Sequence, residues 1–222
     1  FRGKLLAEDL IENLKPLIGG NILNLNSIDD HDLHSLRKLY FKKRTDLIGL
    51  NKKMIYIDKL PLNIIYTAEL NKIFPNSKFI LVLRNPHDVI LSCFMQPFLP
   101  NDAMSNFYNL EDSSKFYDLV MQLWDEYEKK LNLNLHIIKY EDIVNEFDIS
   151  IKKLLKFLNI NWSDDLKNFH LTAQKRGIIN TPSFNQVNMP IYTQSISRWK
   201  NYGYKFSELN FKLNKWINKF NY

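Results

Sequence analysis

Cysteine is almost missing from this chain: Cys93 stands alone in 222 residues. No intramolecular disulfide can form, which excludes a disulfide-stapled secreted domain. Long apolar runs are missing as well. The longest, Phe79–Leu83, falls far short of the ~18 apolar residues of a membrane span. Internal repeats, low-complexity segments and linkers are absent. No signal peptide is visible, and the chain begins with Phe1 rather than Met. The expectation is a processed or truncated chain whose start is missing.

What is present is ordinary globular composition. Hydrophobic residues make up 45% and aromatic residues 14%, which excludes disorder and collagen-like architecture. The length suits one domain with a full core, or two small ones. Lys and Arg number 30 against 24 Asp and Glu, a net charge of +6. That excess leans toward an anionic partner: a nucleotide, a nucleic acid, a sulfated glycan or a membrane surface. A generic basic surface on a Lys-rich chain is the other reading.

Hydrophobic periodicity predicts helices over about 5–18, 30–50, 61–74, 112–131, 148–158, 164–174 and 207–220, and a further helix opens at Asn85-Pro86. Asp29-Asp30 and Asn85-Pro86 carry helix-start chemistry, a capping carboxylate or amide and a proline at the first helical position. Three short apolar runs read as strands: Met54–Ile57, Lys78–Leu83 and Leu135–Lys139. The second, continuously apolar, is expected to be buried on both faces. The stretch 177–204 has turn residues and no period, and reads as a long loop. Strands separated by helices imply crossover connections and a parallel sheet, an α/β class.

In parallel sheets, ligands sit beyond the carboxyl ends of the strands. Here those ends run into Asp58-Lys59-Leu60-Pro61, Arg84-Asn85-Pro86 and Tyr140-Glu141-Asp142. Arg84 thus meets a helix N-terminus, where unpaired N–H groups and the dipole favour an anion, and Ser92 lies two turns along that helix. The plain alternative is an Arg84–Asp88 pair with Ser92 on the helix surface. The five histidines read as surface or core residues, with His87 a minor candidate because it is close to the anion end. No cluster has metal-ligand spacing, and no metal is expected. The lysines are scattered and no nucleic-acid reading motif appears.

The wording of these segments is more specific than their physics. Lys78-Phe-Ile-Leu-Val-Leu-Arg84-Asn-Pro-His-Asp88-Val-Ile-Leu-Ser92 resembles the 3′-phosphate-binding segment of sulfotransferases, which use 3′-phosphoadenosine 5′-phosphosulfate (PAPS). Asp58-Lys59-Leu60-Pro61-Leu62-Asn63, Phe74-Pro75-Asn76, Tyr140-Glu141-Asp142, Thr181–Val187, Pro190–Tyr192 and Ser197–Tyr202 follow the family's order. The pattern is similar to the bacterial branch often fused to tetratricopeptide repeats and related to the tyrosylprotein sulfotransferases.

The resemblance implies a P-loop NTPase-like three-layer sandwich with a central parallel sheet, one sulfotransferase domain over residues 1–222. It implies that Arg84 and Ser92 bind the cofactor's 3′-phosphate, that Arg198 lies over the nucleotide phosphates, and that Tyr140, Ser183 and Gln186 contact the nucleotide face. Lys59 stands where the cytosolic branch has a catalytic histidine. A lysine, with a pKa near ~10.4, is expected to act there as a cation on the sulfonate or bridging oxygen. Related enzymes take a carboxylate base from a Gly-Glu step; here Gly3-Lys4 aligns with it, and Glu8, one turn on, is the substitute candidate. The family's first strand and its phosphate-binding loop have no counterpart, so a fragment lacking both is expected, weak in binding and turnover.

The implied partners are the nucleotide cosubstrate and a carbohydrate, peptide tyrosine or small alcohol as acceptor, without nucleic acid or membrane segment, and with tetratricopeptide repeats upstream. A reducing cytoplasm matches the lone Cys93 and the bacterial branch; a Golgi lumen stays open. Two other classes remain: an inactive nucleotide- or glycan-binding relative, and another phosphate-handling enzyme such as a nucleotide kinase. The kinase needs a Gly-x-x-x-x-Gly-Lys-Ser/Thr loop, which is absent.

Overall fold

A computed structural model describes residues 6–49, 55–175 and 189–222. They fall into two compact units, one built from Lys78–Gln122 with Leu135–Tyr222, the other from the residues up to Ser77 with Leu123–Asn134. No described helix is long and apolar enough to cross a membrane.

The first unit in the chain begins with α1 (Leu6–Leu17) and α2 (Asp30–Ile48). α1 ends at Gly19 and Gly20, whose φ of 57° and 71° suit glycine, and the Gly20 N–H returns to the Lys15 carbonyl at 2.8 Å. α2 starts as its sequence requires: Asp29 Oδ1 accepts the Asp32 N–H at 2.7 Å. Between them a 3₁₀ segment, Ile22–Ser27, was not legible from periodicity. The segment 61–74 is a 3₁₀ helix, Pro61–Tyr66, running into α3 (Thr67–Ile73). Leu10, Leu14, Leu33, Leu36 and Ile73 close the core of this unit.

The other unit holds the sheet. β1 (Lys78–Leu83) and β2 (Asn134–Lys139) lie side by side in a small parallel sheet. β1 feeds α4 (Pro86–Phe94). Asn85 Oδ1 accepts the His87 N–H at 3.0 Å, and Pro86 fills the first helical position. α5 (Leu110–Lys130) begins two residues before its predicted start. α6 (Tyr140–Asn145), α7 (Phe147–Leu158) and α8 (Phe169–Lys175) follow β2. The C-terminal helix is Asn210–Lys219. Ile90, Leu91, Phe206, Leu209 and Leu213 form this unit's core, with Trp199 and Tyr117 packed against it.

Three expectations change. Ile55–Ile57 form no strand, and Ile55 and Ile57 are 60% and 71% exposed; Met54 lies outside the described residues. An extended segment becomes a strand only when a neighbour takes its N–H and C=O groups. β1 is not buried on both faces either: Val82 is 60% exposed, because the sheet of the described residues has two strands. Part of the expected long loop is ordered, with a 3₁₀ turn at Arg198–Tyr202 and a short helix at Gly203–Phe206.

Candidate functional site

The carboxyl ends of β1 and β2 are fastened together by one residue. Glu141, in the first turn of α6, accepts the Asn85 N–H on Oε1 at 2.9 Å. This brings Tyr140 beside Arg84, whose guanidinium carbon lies 5.0 Å from the Tyr140 ring centroid. Burial raises the Tyr140 pKa above its ordinary value, and the Arg84 charge opposes that rise.

Arg84 and Asp88 do not pair with each other among the described residues. Arg84 donates from Nη2 to the Ser195 carbonyl at 2.7 Å, while its Nε is buried with no described partner. Asp88 is 1% exposed, and both its oxygens are engaged: Oδ2 accepts the Ser197 N–H at 2.7 Å and Oδ1 the Trp199 N–H at 2.9 Å. A buried carboxylate is tolerable only when paired or hydrogen-bonded in this way. Its oxygens are spent on backbone, so they do not cancel the guanidinium next door by direct pairing.

These contacts frame a cavity of about 350 Å³. Arg84, Ser92, Tyr140, Ser195 and Arg198 are among its polar lining residues; Met95, Ile143, Phe147, Phe169 and Ile191 are among its apolar ones. A small set of polar groups on an apolar wall is the usual make-up of a small-molecule site. Asp88, Leu91 and Ser92 reach it from one face of α4, at helical spacing, and Met95 from the helix C-cap.

Four residues singled out in the sequence therefore share one cavity: Arg84, Ser92, Tyr140 and Arg198. Ser183 and Gln186 lie outside the described residues. Lys59 and Glu8 belong to the other unit, Lys59 exposed and Glu8 half-buried on α1. Asp58, next to Lys59, accepts the Tyr40 hydroxyl on Oδ2 at 3.0 Å. Sequence reasoning missed Ser195, Gln96 and the Phe147–Phe169 wall. Helical spacing from Ser92 to Gln96 was the available signal for one of them; the others carry none. Burial lifts the Cys93 pKa to about 11, against the pull of Arg84, which disfavours the nucleophilic thiolate. Asp29, His31 and Asp32 could share a cation, but they sit at the exposed start of α2, and Asp29 is already the helix cap.

A sequence model described as the sulfotransferase family matches residues 27–164. The chain belongs to the sulfotransferase family. Among its relatives, an uncharacterised protein of Aquifex aeolicus is 25% identical over 175 residues, 78% of this chain and 22% of that protein. Protein-tyrosine sulfotransferase 2 of Gallus gallus is 25% identical over 148 residues, 64% of this chain and 39% of that enzyme. The chain thus spans well under half the length of either. Among solved structures, the sulfotransferase domain from the curacin biosynthetic pathway superposes with a TM-score of 0.61 at 17% identity. It covers 99% of this chain and 80% of that one, a likeness of fold.

Proposed function

We propose that this sulfotransferase moves a sulfonate group from PAPS to a hydroxyl or amine of an acceptor. One observation supports the reading most directly: Arg84, Ser92 and Arg198 converge on a single cavity at the strand ends. The residues there fit a polyanionic nucleotide. Two guanidiniums face the cavity, the one carboxylate is consumed by backbone N–H groups, and the buried Arg84 Nε still has a hydrogen to donate. Aromatic and aliphatic side chains complete the lining, suited to a nucleoside.

In this reading Arg84, Arg198 and Ser92 hold the 3′-phosphate, the group that separates this nucleotide from adenosine nucleotides lacking it. Tyr140 packs on the nucleotide face, with Ser183 and Gln186 in the same role. The nucleotide, when bound, supplies the sulfonate and the leaving phosphate. The sulfur–oxygen bond to that phosphate breaks as one to the acceptor forms, and 3′,5′-ADP departs. Charge grows on the bridging oxygen, where a fixed cation stabilises it, the role proposed for Lys59. A base that takes the acceptor proton contributes ~10²–10⁴-fold, and Glu8 is the carboxylate proposed.

Retention on immobilised 3′,5′-ADP tests the assignment. The protein is expected to bind, and Arg84→Ala to abolish retention. Binding that ignores Arg84→Ala, or no binding at all, overturns it. Transfer from PAPS to a tyrosine peptide, a carbohydrate and a small alcohol then separates an enzyme from a binding relative.

A further inference from the structure

Arg198 is the exposed member of the cavity's polar lining, and its backbone is held in an unusual way. Ser197 has φ of 57°, in the left-handed region that residues other than glycine seldom adopt. Such a conformation persists where the surroundings over-determine it. Here the residues on both sides of Arg198 donate their N–H groups to the two oxygens of one carboxylate, Asp88. That carboxylate is itself fixed by burial in the first turn of α4. Two further braces come from the same stretch. Arg84 Nη2 holds the Ser195 carbonyl at 2.7 Å, and the His87 ring lies against Trp199 with centroids 4.2 Å apart.

We infer that Asp88 is a positioning residue for nucleotide recognition: by clamping the N–H groups of Ser197 and Trp199, it aims Arg198 into the cavity that Arg84 and Ser92 line. The inference rests on the nucleotide reading above and extends it, since an ionised Asp88 only accepts hydrogen bonds and would repel a phosphate rather than hold it. The two arginines thus arrive at the cavity by different routes. One reaches the cavity directly from β1, and the other is delivered by a segment over a hundred residues later in the sequence.

The test compares affinity for 3′,5′-ADP with affinity for 5′-AMP, which lacks the 3′-phosphate. Asp88→Asn retains one acceptor oxygen and sets an amide N–H donor against the second backbone N–H. It is expected to cut the preference for 3′,5′-ADP by about tenfold or more, the worth of a hydrogen bond to a charged group. Affinity for 5′-AMP should hardly move. Combined with Arg198→Ala, it should add nothing to the loss Arg198→Ala causes alone. Hydrogen exchange at the Ser197 and Trp199 amides should speed up in Asp88→Asn. Ser197→Val keeps the N–H donor and leaves Asp88 untouched but disfavours the left-handed φ of 57°, and it should lower the preference likewise if Asp88→Asn fails to fold.

Equal loss for both nucleotides, or losses that add to those of Arg198→Ala, would mean a merely structural role and overturn the inference. If the unsubstituted protein shows no preference for 3′,5′-ADP, the proposed function falls instead. The Asp88 clamp is then decided by amide exchange, and unchanged exchange in Asp88→Asn overturns it.

Discussion

The imidazole of His87 lies tilted against the indole of Trp199, ring centroids 4.2 Å apart, with Nε2 at 2.9 Å from Asn210 Oδ1. Nδ1 is buried with no described partner. Burial lowers the His87 pKa below its ordinary 6.5, against the opposing pulls of Asn210 and Asp88. Below about pH 6.5 the unfolded chain therefore binds a proton that the folded chain resists. The stability tied to neutral His87 is complete above that pH and is lost as pH falls toward the folded value. Thermal melts from pH 7.5 to 5 should show a steeper decline for the unsubstituted protein than for His87→Gln. Parallel declines would sink this account.

Ser92 lines the cavity from α4 alongside Asp88, within the set that holds Arg84 and Arg198. Ser92→Ala removes one hydroxyl and no charge. Its cost should be that of a hydrogen bond to a charged group, about 1.5–3 kcal/mol, or roughly ten- to a hundredfold in 3′,5′-ADP affinity. Calorimetry should find 5′-AMP binding unchanged. A loss shared by both nucleotides would move Ser92 away from the 3′-phosphate.

Lys59 is exposed, and its neighbour Asp58 is tied to Tyr40. A cation that acts on charge developing during transfer contributes more to the transition state than to the ground state. Lys59→Ala should therefore lower kcat by roughly a hundredfold or more, with nucleotide affinity within a few-fold of the original. Single-turnover kinetics beside equilibrium binding separates the two quantities. Equal losses in both contradict the role.

Leu213 is fully buried among Ile90, Leu91, Phe206 and Leu209, on the C-terminal helix that also carries Trp216. Leu213→Ala leaves a cavity there and should cost about 2–5 kcal/mol of stability. Trp216 reports it well, since its Nε1 donates to Asp118 Oδ1 at 2.7 Å. Urea unfolding followed by tryptophan fluorescence should show a lower midpoint. An unchanged midpoint would mean that this helix adds little to the unit's core.

Local chemistry was readable along most of the chain. Asp29 and Asn85 cap helices because their side chains reach an N–H two or three residues on, a relation written in neighbouring letters. β1 is a continuous apolar run after Lys78 and β2 a shorter one interrupted by His136, and both form where expected. The run around Ile55–Ile57 looks the same in sequence and forms no strand, since pairing depends on a neighbour that the run itself cannot specify. The 3₁₀ start of the 61–74 helix was equally hidden, because helical periodicity does not separate the two geometries over a single turn.

The sequence by itself determined that Arg84 follows a strand and precedes a capped helix, and its wording resembled the sulfotransferase segments that include Ser92, Tyr140 and Arg198. Tertiary structure decided what those residues do to one another. Arg84 holds Ser195, 111 residues away, and Asp88 holds the backbone on either side of Arg198. The plain sequence reading of an Arg84–Asp88 pair gives way to that arrangement. A buried carboxylate must be satisfied by whatever donors the fold delivers, and here the fold delivers backbone N–H groups. Backbone donors belong to every residue, so no pattern of side chains could have announced which two they would be.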